Sequence, residues 1–295
     1  MLSAVHEKTT YGSVVSSPNE NATPAPKKND ATVLSGVAAG MAYLCFHVTF
    51  AWMTIFALPK SFLPDFLNFV PTLDSAETTP LSGSLITDVA LMSAFGIFHS
   101  LFARRPIKKF MGIPHHYERT FYLLQTCACL VLIFANWRNF DAPTIYDVTD
   151  VNWLSAIIVS LYFVGVLFLV SSTFALDHFS LFGLSQGFGF DINDSLGLAP
   201  VPASQNENSG ALVTRWHYSI VAHPIMTGML TMTWATPLMT MPRFLYSTFF
   251  TVYIMIAVRH FEEPDLVAEI GEAYANYLKT VPRFVPFTKF GGKAN

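Results

Sequence analysis

A histidine-proline pair, His223-Pro224, stands at the start of an apolar stretch, with Gly228 one helical turn further on. The stretch ends in two adjacent carboxylates, Glu262-Glu263, followed by Tyr274, Tyr277 and Val281-Pro282-Arg283. Proline at the first position of a helix loses no backbone donor, so His223-Pro224 reads as a helix start. A helix N-terminus presents N–H groups that suit an anionic group such as a carboxylate. Gly228 would allow a ligand to approach the backbone closely; the competing reading is a plain helix start with a packing glycine. Carboxylates at a membrane boundary are costly to bury unpaired, which makes Glu262 and Glu263 functional candidates. Positions 263, 267, 270, 274 and 277 recur at helical spacing and place Glu263, Val267, Ile270, Tyr274 and Tyr277 on one expected face. The rival there is an interfacial amphipathic helix with snorkelling charges.

The elements that hold these residues are apolar. Of 295 residues, 52% are hydrophobic and 13% charged, about half the charge of a soluble domain. Lipid is the expected solvent, and the fold class is an all-α integral membrane protein. A net charge of −3 argues against a nucleic-acid partner, which would want a basic stripe. Cys45, Cys127 and Cys129 fall inside apolar runs and read as small buried residues. No two of the nine histidines have the i, i+4 spacing of a metal pair on one helix, so no metal is expected. His47 and His99 in membrane helices keep a haem-binding alternative open.

Four apolar stretches, about 33–58, 85–103, 120–137 and 153–175, approach the ~20 residues that cross a bilayer. A fifth block, 224–258, is interrupted by Pro237 and Pro242. It reads as a helical hairpin with arms of about 224–236 and 243–260, the first too short to cross bare lipid. Residues 1–31 have no apolar period and read as a disordered tail; Asn21-Ala22-Thr23 is formally a glycosylation sequon. The loop from Arg104 to Glu118 carries Arg104, Arg105, Lys108 and Lys109, whereas the opposite loops are acidic. The positive-inside rule then places both chain ends and that loop in the cytoplasm. The expected layout is a tail (1–31), a four-helix region (32–175), a cytoplasmic loop (176–222), the hairpin with its lid (223–287) and an end segment (288–295).

The sequence HPIMTG, an apolar hairpin and EEPDLVAEIGEAYANYLKTVPRFVP together resemble the cofactor half of the isoprenylcysteine carboxyl methyltransferase superfamily. FHSLFARRPIKKF, YERTFYLL, DHFSLFGLSQ and HPIMTGMLTMTWATPLMT resemble the membrane methanethiol S-methyltransferases within it, over roughly residues 85–287. The resemblance implies a pocket for S-adenosylmethionine formed by His223, Pro224, Glu262, Glu263, Tyr274 and Tyr277, with Gly228 allowing close packing. It implies methylation of a small thiol, most simply methanethiol to dimethyl sulfide. Generating thiolate calls for a nearby base or cation; His99 and Arg119, both inside family-like motifs, are the candidates. The alternative for each is structural, a helix-to-helix hydrogen bond for His99 and an ion pair for Arg119. The run Tyr218-Ser219-Ile220-Val221-Ala222-His223-Pro224 lacks the two arginines common in relatives, with Arg215 the nearest substitute, and Pro264 stands where an arginine is usual. That weakens the carboxyl O-methyltransferase alternative; a non-enzymatic scaffold is a further one. Oligomeric state is not legible.

Overall fold

The computed structural model describes residues 31–74, 78–197 and 212–288. The tail with its sequon and most of the polar 187–212 loop lie outside the described residues. Helix α1 (Val33–Ala57) starts at a capping box in which Thr32 and Ser35 exchange side-chain and backbone hydrogen bonds. Helix α2 (Leu81–Ala103) is followed by short α3 (Arg105–Phe110), then α4 (His115–Asn136) and α5 (Asn152–Leu176). Three short helices, α6 (His178–Leu181), α7 (Leu184–Phe188) and α8 (Ile192–Ser195), and the single turn α9 (His217–Ile220) precede the hairpin. Its arms are α10 (Pro224–Trp234) and α11 (Met241–Ala257), and α12 (Glu263–Ile270) and α13 (Glu272–Thr280) are the last described helices.

Among the described residues, five helical segments are long and apolar enough to cross a membrane: α1, α2, α4, α5 and the continuous run from Met241 to Ile270. The protein is an all-α integral membrane protein. Val37, Met41, Leu44 and Val48 form an exposed apolar stripe on α1, the face a lipid-embedded helix turns outward. Away from that stripe, Phe56 joins Met92, Phe134, Tyr162, Met232 and Tyr246 in one core drawn from α1, α2, α4, α5, α10 and α11.

The hairpin is wedged into this core. Helix α10 packs along α5, where a Cβ at Gly228 would come within 2.7 Å of the Gly165 carbonyl and of Leu169. Small residues that let backbones approach are the usual device for packing helices in lipid. At the tip, β4 (Leu238–Met239) pairs antiparallel with β3 (Tyr146–Asp147) from the α4–α5 loop. Arg243, 2% exposed, grips both Asp74 oxygens at 2.8 and 2.7 Å and donates to the Ala57 carbonyl at 2.6 Å. The tip therefore sits at the bundle end that carries the α1–α2 and α4–α5 loops, beside the parallel pair β1 (Thr78–Thr79) and β2 (Asn139–Phe140). At the opposite end Arg104 pairs with Asp265 at 3.1 Å and lies over the Phe261 ring.

Two expectations from spacing are corrected. The second hairpin arm does not stop near residue 260; it passes through a π-helical turn, Val258–Glu262, straight into α12. Pro264 falls in the first turn of α12, where its missing donor is tolerated. The expected single face from 263 to 277 is broken at Gly271 (φ +80°, ψ −147°), a conformation open to glycine. Val267 is exposed, while Glu263, Tyr274 and Tyr277 are buried.

Candidate active site

Three chain segments converge at the mouth of the hairpin. The Ala222 and His223 N–H groups donate to the Pro282 and Arg283 carbonyls at 2.7 and 3.0 Å. The Thr227 hydroxyl donates to the Phe284 carbonyl at 2.8 Å. These bonds stitch residues 282–284 to the first turn of α10. The buried His223 ring faces both carboxylates, with Nδ1 3.3 Å from Glu262 Oε1 and Nε2 3.3 Å from Glu263 Oε1. Neighbours on a helix point about 100° apart, and the imidazole spans that divergence with its two nitrogens. Burial pulls the His223 pKa down, but the hydrogen bonds and charges of Glu262 and Glu263 outweigh it and leave it raised to about 9. The ring is an imidazolium at neutral pH, donating from both nitrogens.

Arg283 closes the other side of Glu263, with Nε on Oε1 at 2.7 Å and Nη2 on Oε2 at 3.0 Å. Both oxygens of Glu263 are thus engaged. Glu262 differs: its side chain is 43% exposed, so the carboxylate reaches the surface of the cluster. The Tyr277 hydroxyl donates to the Tyr218 carbonyl at 2.5 Å. The Tyr274 hydroxyl is buried and has no hydrogen-bond partner among the described residues. Burial, and then the charges of Glu262 and Glu263, push the Tyr274 pKa up, so it stays a neutral donor.

A second polar group lies within the helices. His99 on α2 is stacked on Phe95, with ring centroids 5.0 Å apart. Its Nε2 is 2.9 Å from the Tyr122 hydroxyl and its Nδ1 3.1 Å from the Thr126 hydroxyl, both on α4. Arg119, one turn into α4, packs against the α6–α7 turn, where a Cβ at Gly183 (φ +84°) would lie 2.6 Å from its own Cβ. Glu118 pairs with Lys108 at 3.7 Å.

The chain shares 34% identity with methanethiol S-methyltransferase 2 of Bradyrhizobium diazoefficiens, over 83% of this chain and 87% of that one. It shares 32% with methanethiol S-methyltransferase of Mycobacterium tuberculosis, over 87% of this chain and 96% of the relative. It belongs to the methanethiol S-methyltransferase family. The zebrafish (Danio rerio) protein nurim is more distant, 27% identical over 59% of this chain and 62% of its own. No family model and no solved structure matches.

For a methanethiol S-methyltransferase family member the expected residues divide into groups. His223, Pro224, Glu262, Glu263, Tyr274 and Tyr277 gather at the hairpin mouth; Pro224 is in the first turn of α10. Gly228 faces α5, so the space left by its missing Cβ is filled by helix packing. His99 and Arg119 lie on the α2–α4 side, where Tyr122 bonds His99. Sequence reasoning missed two residues. Arg283 supplies the guanidinium of the cluster although no arginine directly precedes His223, and its signal was the Val281-Pro282-Arg283 run itself. Tyr122, in the TFYLL run, gave no signal apart from helical spacing to Thr126.

Proposed function

We propose that this chain transfers the methyl group of S-adenosylmethionine to a small thiol, methanethiol giving dimethyl sulfide. Membership of a family whose curated members are named for that reaction supports the chemistry. The observation that carries the site is the cluster of His223, Glu262, Glu263 and Arg283, two cations and two carboxylates closed over one helix start. Such a charge-balanced cluster suits an amino acid moiety carrying both an ammonium and a carboxylate. The partnerless Tyr274 hydroxyl is a buried group that a bound polar ligand would satisfy.

When bound, S-adenosylmethionine supplies an electrophilic methyl group on a sulfonium. Glu262, exposed at the cluster surface, would accept from its ammonium or ribose hydroxyls. Glu263, fully engaged by His223 and Arg283, holds the clamp in shape. Tyr274 and Tyr277 offer aromatic faces that favour a cationic sulfonium or an adenine. The thiol must lose its proton before its sulfur attacks. The Tyr122 oxygen takes the thiol proton as its own hydroxyl proton passes to His99 Nε2, while Nδ1–H donates to Thr126. Arg119 stabilises the thiolate with its positive charge. The reaction otherwise requires placement and exclusion of water.

The topology follows the charge bias: both chain ends, the Arg104–Glu118 loop and the clamp face the cytoplasm, and the hairpin tip faces away. The layout is a tail (1–31), a four-helix membrane region (32–175), a cytoplasmic loop (176–222) and the cofactor-binding hairpin and lid (223–287). A headspace assay tests the activity. Membranes containing the chain, given methanethiol and S-adenosylmethionine, are expected to release dimethyl sulfide, and the Glu262→Ala variant is expected to release far less. No thioether from a folded parent would contradict the proposal.

A further inference from the structure

An open groove of about 600 Å³ runs between α2 and α11 on the outside of the bundle. Gly96, Ile97 and Ser100 on α2 face Phe249, Val252 and Tyr253 on α11, each trio at helical spacing. Ile97 and Val252 are 62% and 51% exposed on helices that span the membrane, so the groove opens to hydrocarbon. At its inner wall Tyr253 is fixed twice. Its hydroxyl shares a 3.0 Å hydrogen bond with the Ser100 hydroxyl. Its ring covers Gly96 so closely that a Cβ there would lie 3.1 Å away. The ring also meets His99 in an edge contact, with centroids 6.4 Å apart, and His99 bonds Tyr122. One tethered side chain thus borders both the lipid-facing groove and the polar pair to which thiol deprotonation is assigned above.

We propose that Tyr253 is the specificity-determining residue for the alkyl group of the thiol. Its ring stands between the groove and His99, so the alkyl group of a thiol held at His99 and Tyr122 would meet that ring. A longer alkyl chain would have to lie along the groove, and the ring excludes it. The groove's largely apolar lining, and its border with His99 through the Tyr253 ring, make an alkyl chain its fitting occupant once the ring is gone. The inference rests on the thiol-methylating function proposed above.

The test compares kcat/KM for methanethiol and 1-propanethiol, with S-adenosylmethionine, in purified full-length chain and its Tyr253 variants. One methylene in an apolar pocket is worth roughly 10–200-fold in discrimination. Tyr253→Ala is expected to raise the propanethiol-to-methanethiol ratio by at least about 10-fold. Tyr253→Phe, which keeps the ring and loses only the Ser100 bond, is expected to leave the ratio near that of the parent. Tyr253→Leu keeps enough bulk to preserve helix packing and should shift the ratio in the same direction as Tyr253→Ala, so it gives the reading if the alanine variant fails to fold. An unchanged ratio in alanine or leucine variants that still turn over methanethiol would overturn the role of Tyr253 alone. A folded parent that methylates no thiol would overturn the underlying function as well.

Discussion

Arg283 holds both oxygens of Glu263, at 2.7 and 3.0 Å, across the glycine break that separates α12 from α13. The pair joins the end of the described chain to the π-helical turn of the second hairpin arm. His223 shares Glu263 Oε1 from the first arm. Charge-assisted, bidentate bonds of this kind are the strong ones, and they make the clamp a unit that should fail as a unit.

Removing one member tests that. Arg283→Ala leaves the buried Glu263 with His223 alone, and the loss of hydrogen bonds to a charged group costs about 2 kcal/mol. Thermal unfolding of the purified variant should show a lowered Tm together with weaker binding of S-adenosylmethionine. Arg283→Lys should recover only part of both, because an ammonium cannot reproduce the planar two-point contact.

The clamp should also sense pH. The His223 pKa is raised to about 9 from an ordinary value near 6.5, so folding takes up a proton. That contribution to stability is fully present below about 6.5 and is lost as pH rises through about 9. A Tm-against-pH profile of the parent should fall across this interval. His223→Gln, which cannot titrate, should have a lower Tm and lack this component of the slope.

His99 is assigned the thiol proton. Loss of a positioned acid–base group typically costs about 10²–10⁴-fold in rate, so His99→Phe should lose kcat on that scale. S-adenosylmethionine affinity should be unchanged, since His99 belongs to the α2–α4 pair and not to the hairpin clamp. A purely structural histidine would instead lower Tm and leave kcat per folded molecule intact, which active-site titration would reveal.

Gly228 is assigned to helix packing. A Gly228→Val side chain would collide with Gly165 and Leu169, and overpacking of this kind costs about 1–3 kcal/mol. The variant should unfold at lower temperature. Gly165→Val, where a Cβ would meet Thr231 and the Met232 backbone, should resemble it, and the double variant should be worse than either.

Much of this molecule is legible in its sequence because lipid imposes simple rules. The expected spans at 33–58 and 153–175 agree with α1 and α5 within a residue or two. Helices α2 and α4 begin earlier than hydropathy suggests, at Leu81 and His115. Pro80 and Pro114 stand at their N-caps, and the polar first turns carry no apolar signal. The hairpin is read correctly from Pro237 and Pro242, but the continuation through Val258–Glu262 is not. A π turn has no compositional mark, and Pro264 looks like a stop rather than a first-turn residue. Within the site, His223, Glu262 and Glu263 stand out by type and by resemblance. Arg283 does not, since its pairing depends on the left-handed turn at Gly271 and on backbone bonds from residues 222 and 223. Such contacts belong to tertiary structure and leave no periodic trace.

The most direct measurement follows the methyl group itself. Purified protein is given methanethiol and S-adenosylmethionine deuterated in its transferable methyl, and the headspace is read by mass spectrometry. The account requires dimethyl sulfide carrying the deuterated methyl from the parent, and little or none from Glu262→Gln. Folded parent that binds the labelled donor yet releases no labelled thioether would contradict it.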